Sequence, residues 1–200
     1  MKRRDELSNN NKPTEYFNEL EKNGNKASEI EYTARTFYGR VNILMKQKNL
    51  TYKQIINISG LNESMLPKYM TLPFTADPKN PNKWVKNQKH RNPNLGIVLA
   101  FAISLQLNID EFNALLDSAD LAPLKEWRFF RGDDIILKHY NEIIDEISKH
   151  LKTDPNYEGE YYLMGVDDIN YEFVARGLPL LGIGQQYSKD PTDYEADYEE

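Results

Sequence analysis

The 200-residue chain has no cysteine, which excludes a disulfide framework, a thiolate zinc site, an iron–sulfur cluster and a cysteine nucleophile. A reducing compartment is expected. No apolar run approaches the roughly 20 residues of a membrane span. Met1-Lys2-Arg3-Arg4-Asp5-Glu6 leads into polar sequence, not into the apolar core of a signal peptide. A cytoplasmic protein with no membrane partner follows as the expectation, and the sequons Asn57-Ile58-Ser59 and Asn62-Glu63-Ser64 then carry no consequence. Ten Gly and ten Pro are ordinary usage, so neither a collagen-like nor a wholly disordered chain fits. What remains is 40% apolar and 28% charged, with a mean hydropathy of -0.72. That is enough for one medium domain or two small ones.

The net charge of -6 conceals a strong segregation. Residues 1–30 balance to zero, whereas residues 31–94 hold eleven Lys/Arg against Glu31, Glu63 and Asp77, a net of +8. The last 106 residues therefore carry -14. A chain with one module facing a polyanion and another facing solvent or a partner shows this pattern.

Residues 1–32 read as an N-terminal arm, with Thr14 placed to cap a short helix carrying Tyr16, Phe17 and Leu20. Phe37, Val41, Leu44 and Met45 then fall on one stripe of a helix ending near Lys48-Asn49. Thr51 followed three residues later by Gln54 is a capping box, opening a second helix that carries Ile55, Ile56 and Ile58 up to Gly60. Asn62 can cap a third short helix through Met70, with Met65, Leu66 and Tyr69 facing the core. A tight left-handed turn at Gly60 would let the two helices meet at a steep angle.

The run Leu50 to Met70, with its Leu-Thr start, capping box, Gly60-Leu61-Asn62 turn and Met65-Leu66 pair, resembles the helix-turn-helix of the Xre, or phage-repressor-like, family. Arg91-Asn92-Pro93, the apolar helix with Ile97, Val98, Ala100, Phe101, Ile103, Leu105 and Leu107, the capping box Asn108/Glu111, and Phe112, Leu115 and Leu116 resemble the family's last two helices. The likeness spans 33–124 with a long loop at 71–91. It implies a five-helix DNA-binding domain of a bacterial or phage regulator. In two places the chain departs from the family. Pro67 stands within the expected second helix of the motif, where it removes a backbone hydrogen bond unless that helix starts late or bends. Ile56 stands where the family has a small residue, forcing the helices apart or shifting their crossing.

Beyond 124 an internal repeat is visible. Ile109-Asp110-Glu111-Phe112-Asn113, Leu116 and Leu121-Ala122-Pro123-Leu124 are echoed by Val166-Asp167-Asp168-Ile169-Asn170, Phe173 and Leu178-Pro179-Leu180. The second copy follows a helix opened by Asp133 with Ile136, Tyr140, Ile143, Ile144, Ile147 and Leu151 on one stripe. Residues 125–184 thus read as a second helical unit resembling the first domain's last two helices and suited to dimerisation, and 185–200 as an acidic mobile tail.

Enzyme chemistry is not expected. His139 and Glu142 share a helix face but have no matching second pair for a metal. Gly177 to Gly184 lacks the Lys-Ser/Thr of a phosphate loop. Asp133-Asp134, Asp145-Glu146 and Asp167-Asp168 read as caps and solvated faces. No metal or organic cofactor is implied.

The expected fold is therefore all-α, and the expected function is binding of double-stranded DNA by a homodimeric transcriptional regulator, whose recognition helices enter successive major grooves. Asn62, Glu63, Ser64 and Lys68 would meet base edges, since Asn can read adenine, Glu cytosine and Lys guanine or phosphate. Tyr52 and Lys53 would lie on the backbone, and Lys79, Lys83, Lys86, Lys89 and Arg91, with Trp84 among them, would form a phosphate tracker or minor-groove wing. The rival expectation is a protein-interaction module that kept the scaffold and lost base reading, with a protein partner on the C-terminal unit.

Overall fold

The computed structural model describes residues 33–59, 61, 64, 66–154 and 161–181. These are mostly helical, with one small two-stranded sheet. The proposed arm (1–32), the bend at Gly60, the contact residues Asn62 and Glu63, Met65 and the acidic tail (185–200) lie outside the described residues.

Helix α1 (Phe37–Lys48) starts where the Thr36 hydroxyl accepts from the Gly39 amide at 3.1 Å, and stops at Asn49, whose φ of 54° turns the chain away. Phe37, Val41, Leu44 and Met45 are buried, as the stripe requires. Helix α2 (Tyr52–Ser59) opens on the expected box: the Thr51 amide donates to Gln54 Oε1 at 2.9 Å and the Gln54 amide to Thr51 Oγ1 at 3.3 Å. Ile55 and Ile58 are buried, while Ile56 is only half-buried against the core.

Helix α3 is shorter than the spacing suggests, a single turn from Leu66 to Tyr69. Pro67 accounts for this. Placed in the first turn, its missing N–H is one that no helix would bond anyway, so the helix starts late rather than breaking. Residues 71–91, expected as a loop, contain a hairpin of β1 (Phe74–Asp77) and β2 (Asn80–Lys86), antiparallel, with Phe74 opposite Lys86, Thr75 opposite Val85 and Ala76 opposite Trp84. Its turn is fixed by the Lys79 amide, which donates to Asp77 Oδ1 at 2.8 Å. Among the described residues neither strand has a third neighbour, so Pro81 is tolerated in β2.

Helix α4 (Leu95–Ser104) is apolar all round and buried from Gly96 to Ser104, making it the centre of the molecule. The Ser104 hydroxyl, shut away from water, donates to Ala100 O at 2.8 Å. Helix α5 (Ile109–Ser118) carries the second expected capping box in full: the Glu111 amide donates to Asn108 Oδ1 at 2.9 Å and the Asn108 amide to Glu111 Oε2 at 3.0 Å. After a 3₁₀ turn (Phe129–Arg131) come α6 (Asp133–Thr153) and α7 (Tyr161–Ala175). Helix α7 packs on α6 and also reaches α2 and α4. The buried side chains from Phe37 to Leu181 therefore form one cluster spanning both halves of the chain. Within it the Tyr140 hydroxyl donates to Leu107 O at 2.8 Å and its ring packs on Phe112 at 4.9 Å.

The internal repeat is physical, at an offset of 57 residues. Leu121 N donates to Leu116 O at 2.9 Å, and Leu178 N to Phe173 O at 2.8 Å. Asp120 and Gly177 both turn left-handed, at φ 59° and 68°. Asn113 Oδ1 accepts from Leu124 N at 2.7 Å, and Asn170 Oδ1 from Leu181 N at 2.8 Å. Each helix end is thus clasped to the segment that follows it by one Asn side chain. Asn170 is 1% exposed and its amide also donates to Leu181 O at 3.3 Å. Asn170→Ala should therefore lower stability by about 1–3 kcal/mol. Half-buried Asn113 should cost less on the same change, and urea unfolding of both variants checks the order.

Asp133, expected as a solvent-facing cap, is 0% exposed. Arg131 folds back on it, with Nη2 at 2.8 Å from Oδ2, and Lys125 N donates to the same oxygen at 2.9 Å. The Arg131 guanidinium also donates to Ala122 O and Pro123 O, at 2.7 and 3.0 Å, and Arg128 to Pro123 O at 2.9 Å. This cluster ties down the whole connection from α5 to α6.

Between α6 and α7, Glu172 Oε1 takes the Lys138 ammonium at 2.5 Å and His139 Nε2 at 2.8 Å. Lys138 first, and His139 second, hold the Glu172 carboxyl below its ordinary value of 4.5. The unfolded chain therefore binds this proton more readily than the folded one. The stabilisation is present above the ordinary value and is lost as pH falls through the lowered one. Glu172→Gln should accordingly lower the melting temperature slightly near pH 7, with the gap closing in acid. A gap of constant size across that range contradicts this role.

Candidate nucleic-acid interface

The residues expected to meet DNA fall into two groups. Tyr52 and Lys53 open α2, whose packing partners include α4 and α7. The Tyr52 hydroxyl donates to Asn42 Oδ1 at 2.7 Å, and the Asn42 amide to Tyr38 O at 2.9 Å, which locks the start of α2 to α1. Burial, and then the neighbouring Tyr38 phenol, push the Tyr52 hydroxyl above its ordinary value, so it remains a donor. Lys53 beside it is exposed. No hydrogen bond among the described residues joins this pair to the hairpin.

The second group is drawn together. Arg91 N donates to Lys68 O at 2.9 Å, joining the last turn of α3 to the chain leaving β2. His90 Nδ1 donates to Thr71 O at 2.8 Å, and its Nε2 meets the Asn92 side-chain amide at 2.8 Å. Asn87 N donates to Pro73 O at 2.7 Å. These bonds close the hairpin at its base and fix that base to α3. Lys68, Lys86, Lys89 and Arg91 are thereby brought close together at the hairpin base, and Lys79 and Lys83 lie further out, toward the hairpin tip. Ser64 is exposed just before α3. The Arg91 guanidinium caps its own loop, donating to Gln88 O at 3.0 Å and His90 O at 2.9 Å.

His90 is the residue that sequence reasoning undervalued. Lying between Lys89 and Arg91, which are expected to touch phosphate, it is the clasp that gives the hairpin its position. The sole hint in the sequence is its place beside Asn92-Pro93, where the chain must turn into α4.

No family model, curated protein or solved structure matches the chain. Lys53, Lys68, Lys79, Lys83, Lys86, Lys89 and Arg91 are all exposed. Among the described residues, no ion pair engages Lys53, Lys79, Lys83, Lys86 or Lys89. In the C-terminal half the opposite holds: Arg128 and Arg131 serve Asp133, Lys138 serves Glu172, and Arg176 serves Asp134 at 2.7 Å. Most cations of the C-terminal half are thus neutralised within the molecule, whereas these five lysines are left to solvent.

Trp84 sits half-buried on β2. A shallow cleft of about 230 Å³ lies beneath the hairpin base, between the first turn of α1 (Phe37, Tyr38), Phe74, Lys86 and the end of α5 at Ala119. Among the described residues no group of His, Asp and Glu is arranged to hold a metal ion, and no helix is long and apolar enough to cross a membrane. His139, Glu142 and Glu172 form a structural contact instead.

Proposed function

We propose that the protein binds double-stranded DNA as a homodimeric regulator, through a surface built from α3 and the basic hairpin. The observation that carries this reading is the set of four exposed hairpin lysines, Lys79, Lys83, Lys86 and Lys89, which no ion pair engages among the described residues, on a hairpin whose base is held by backbone bonds beside α3 in an otherwise acidic molecule. The order α1 to α5, with a short helix after α2, supports the resemblance to the Xre family. The hairpin is the element this chain adds, and as a two-stranded ribbon it fits a groove or lies along phosphates. Because α3 is one turn long, phosphate contacts outweigh base contacts in this interface. Binding should be strongly salt-dependent and only weakly selective for sequence.

The shortness of α3 also favours a second reading, a protein-interaction module that uses the same scaffold without entering a groove. Titrating labelled duplex at several salt concentrations separates the two. DNA binding predicts a log–log slope of about -0.9 per phosphate neutralised. No binding at low salt leaves the interaction module.

A further inference from the structure

The 3₁₀ corner between α5 and α6 exposes three aromatic rings together: Trp127 at 64%, Phe129 at 59% and Phe130 at 77%. Such rings present about 150–250 Å² each, so the corner offers on the order of 400 Å² of ring surface to water. Scattered exposed apolar residues need no explanation, but three within four positions do.

The corner is rigid. Arg131 and Arg128 anchor it to Asp133, Ala122 and Pro123, while Lys125 and Arg128 stand over the Trp127 ring at 5.4 and 5.5 Å. Its basic side chains are already engaged within the molecule, which leaves little to attract a phosphate-rich surface. Beside it runs an open apolar cleft of about 250 Å³, lined by Leu95, Gly96, Phe173, Pro179 and Leu180, with Phe130 forming one wall.

We infer that this corner and its cleft are the surface on which two copies of the chain pair, an aromatic knob of each entering the cleft of the other. A knob and a hole side by side on one face are what a two-fold contact needs, because each copy must offer both. The local charge is balanced by Arg131–Asp133 and Arg176–Asp134, so a second copy meets no repulsion there. The rings supply about half of the roughly 800 Å² that each partner of a stable interface covers, and the cleft walls supply more. Preordered Trp and Phe side chains in a fixed frame lose little freedom on docking. The inference rests on the dimer in the proposed function, not on its DNA contact.

Sedimentation of the full chain over a wide concentration range tests it. The wild type should pass from monomer to dimer as concentration rises. The Phe129→Glu/Phe130→Glu variant should stay monomeric with an unchanged melting temperature, since neither ring contributes to the core. Trp127 gives an independent readout. In a Trp84→Phe background it is the sole tryptophan of the two, and its emission should shift to the blue and resist acrylamide over the same concentration range. A wild type that remains monomeric throughout overturns the inference, as does a dimer that survives the double substitution with Trp127 still fully quenched. Capture by phosphatidylserine vesicles without self-association also overturns it, and assigns the corner to membranes. Loss of DNA binding with self-association intact would contradict the other half of the proposed function and leave this one standing.

Discussion

Asp133→Ala should lower the unfolding free energy by about 3–5 kcal/mol, because it removes one partner of a buried ion pair. The carboxylate is fully buried and balances Arg131 directly and Arg128 at 3.6 Å. Removing it leaves two guanidinium groups half-buried without their anion, and frees Lys125 N as well. Against a total of about 5–15 kcal/mol this is a severe loss, and at about 2–4 °C per kcal/mol the melting temperature should fall by roughly 10 °C. Asp133→Asn keeps the shape but not the charge and should fall between. Gly132 beside it turns at φ 72°, and a Cβ there would collide with the Phe173 ring, so the corner tolerates little at either position. Thermal unfolding followed by circular dichroism checks the order, and an Asp133→Ala protein as stable as the wild type contradicts it.

Reversal of the hairpin charge should have the largest effect on binding. Lys83→Glu, Lys86→Glu and Lys89→Glu together remove three phosphate contacts. With a slope near 0.9 per contact, each is worth about eightfold between 1 M and 0.1 M salt, so three amount to roughly 500-fold at 0.1 M. Added repulsion increases the loss, and the salt slope should shrink by about one per residue. All three side chains are exposed and absent from the core, so the fold should be unaffected. Lys149→Glu with Lys152→Glu, on the far end of α6, serves as the control and should leave affinity nearly unchanged. Anisotropy of a labelled duplex measures both variants. Equal losses in the two would show only that net charge matters, not where it sits.

What could be read from the chain was local. Both capping boxes, Thr51/Gln54 and Asn108/Glu111, are spacings of three residues, and both formed. The stripe Phe37, Val41, Leu44 and Met45 is buried because a helical period needs no knowledge of the partner. The repeat of Asn113 and Asn170 was visible as a word and proved to be a pair of equivalent clasps. What escaped was contextual. The segment Asp77-Pro78-Lys79-Asn80-Pro81 reads as a breaker, and strands of four and seven residues beside it carry too little alternation to announce a hairpin. Pro67 signalled trouble in α3 without saying whether the helix would bend or begin late. Asp133 looked like any carboxylate at a helix start, since its burial depends on two arginines that only the folded corner brings back to it. Of the candidate site, the positive charge was legible, whereas the bonds from His90 to Thr71 and from Arg91 to Lys68, which gather that charge, are properties of the fold.

Amide hydrogen exchange of the full chain with and without duplex DNA at low salt tests the central claim most directly. Slowed exchange is expected in Leu66–Met70 and along β2 to Arg91, with the corner around Trp127 unchanged by DNA at a protein concentration where the chain is already fully dimeric. Slowing confined to α6, α7 or that corner, or no slowing anywhere at saturating DNA, would contradict it.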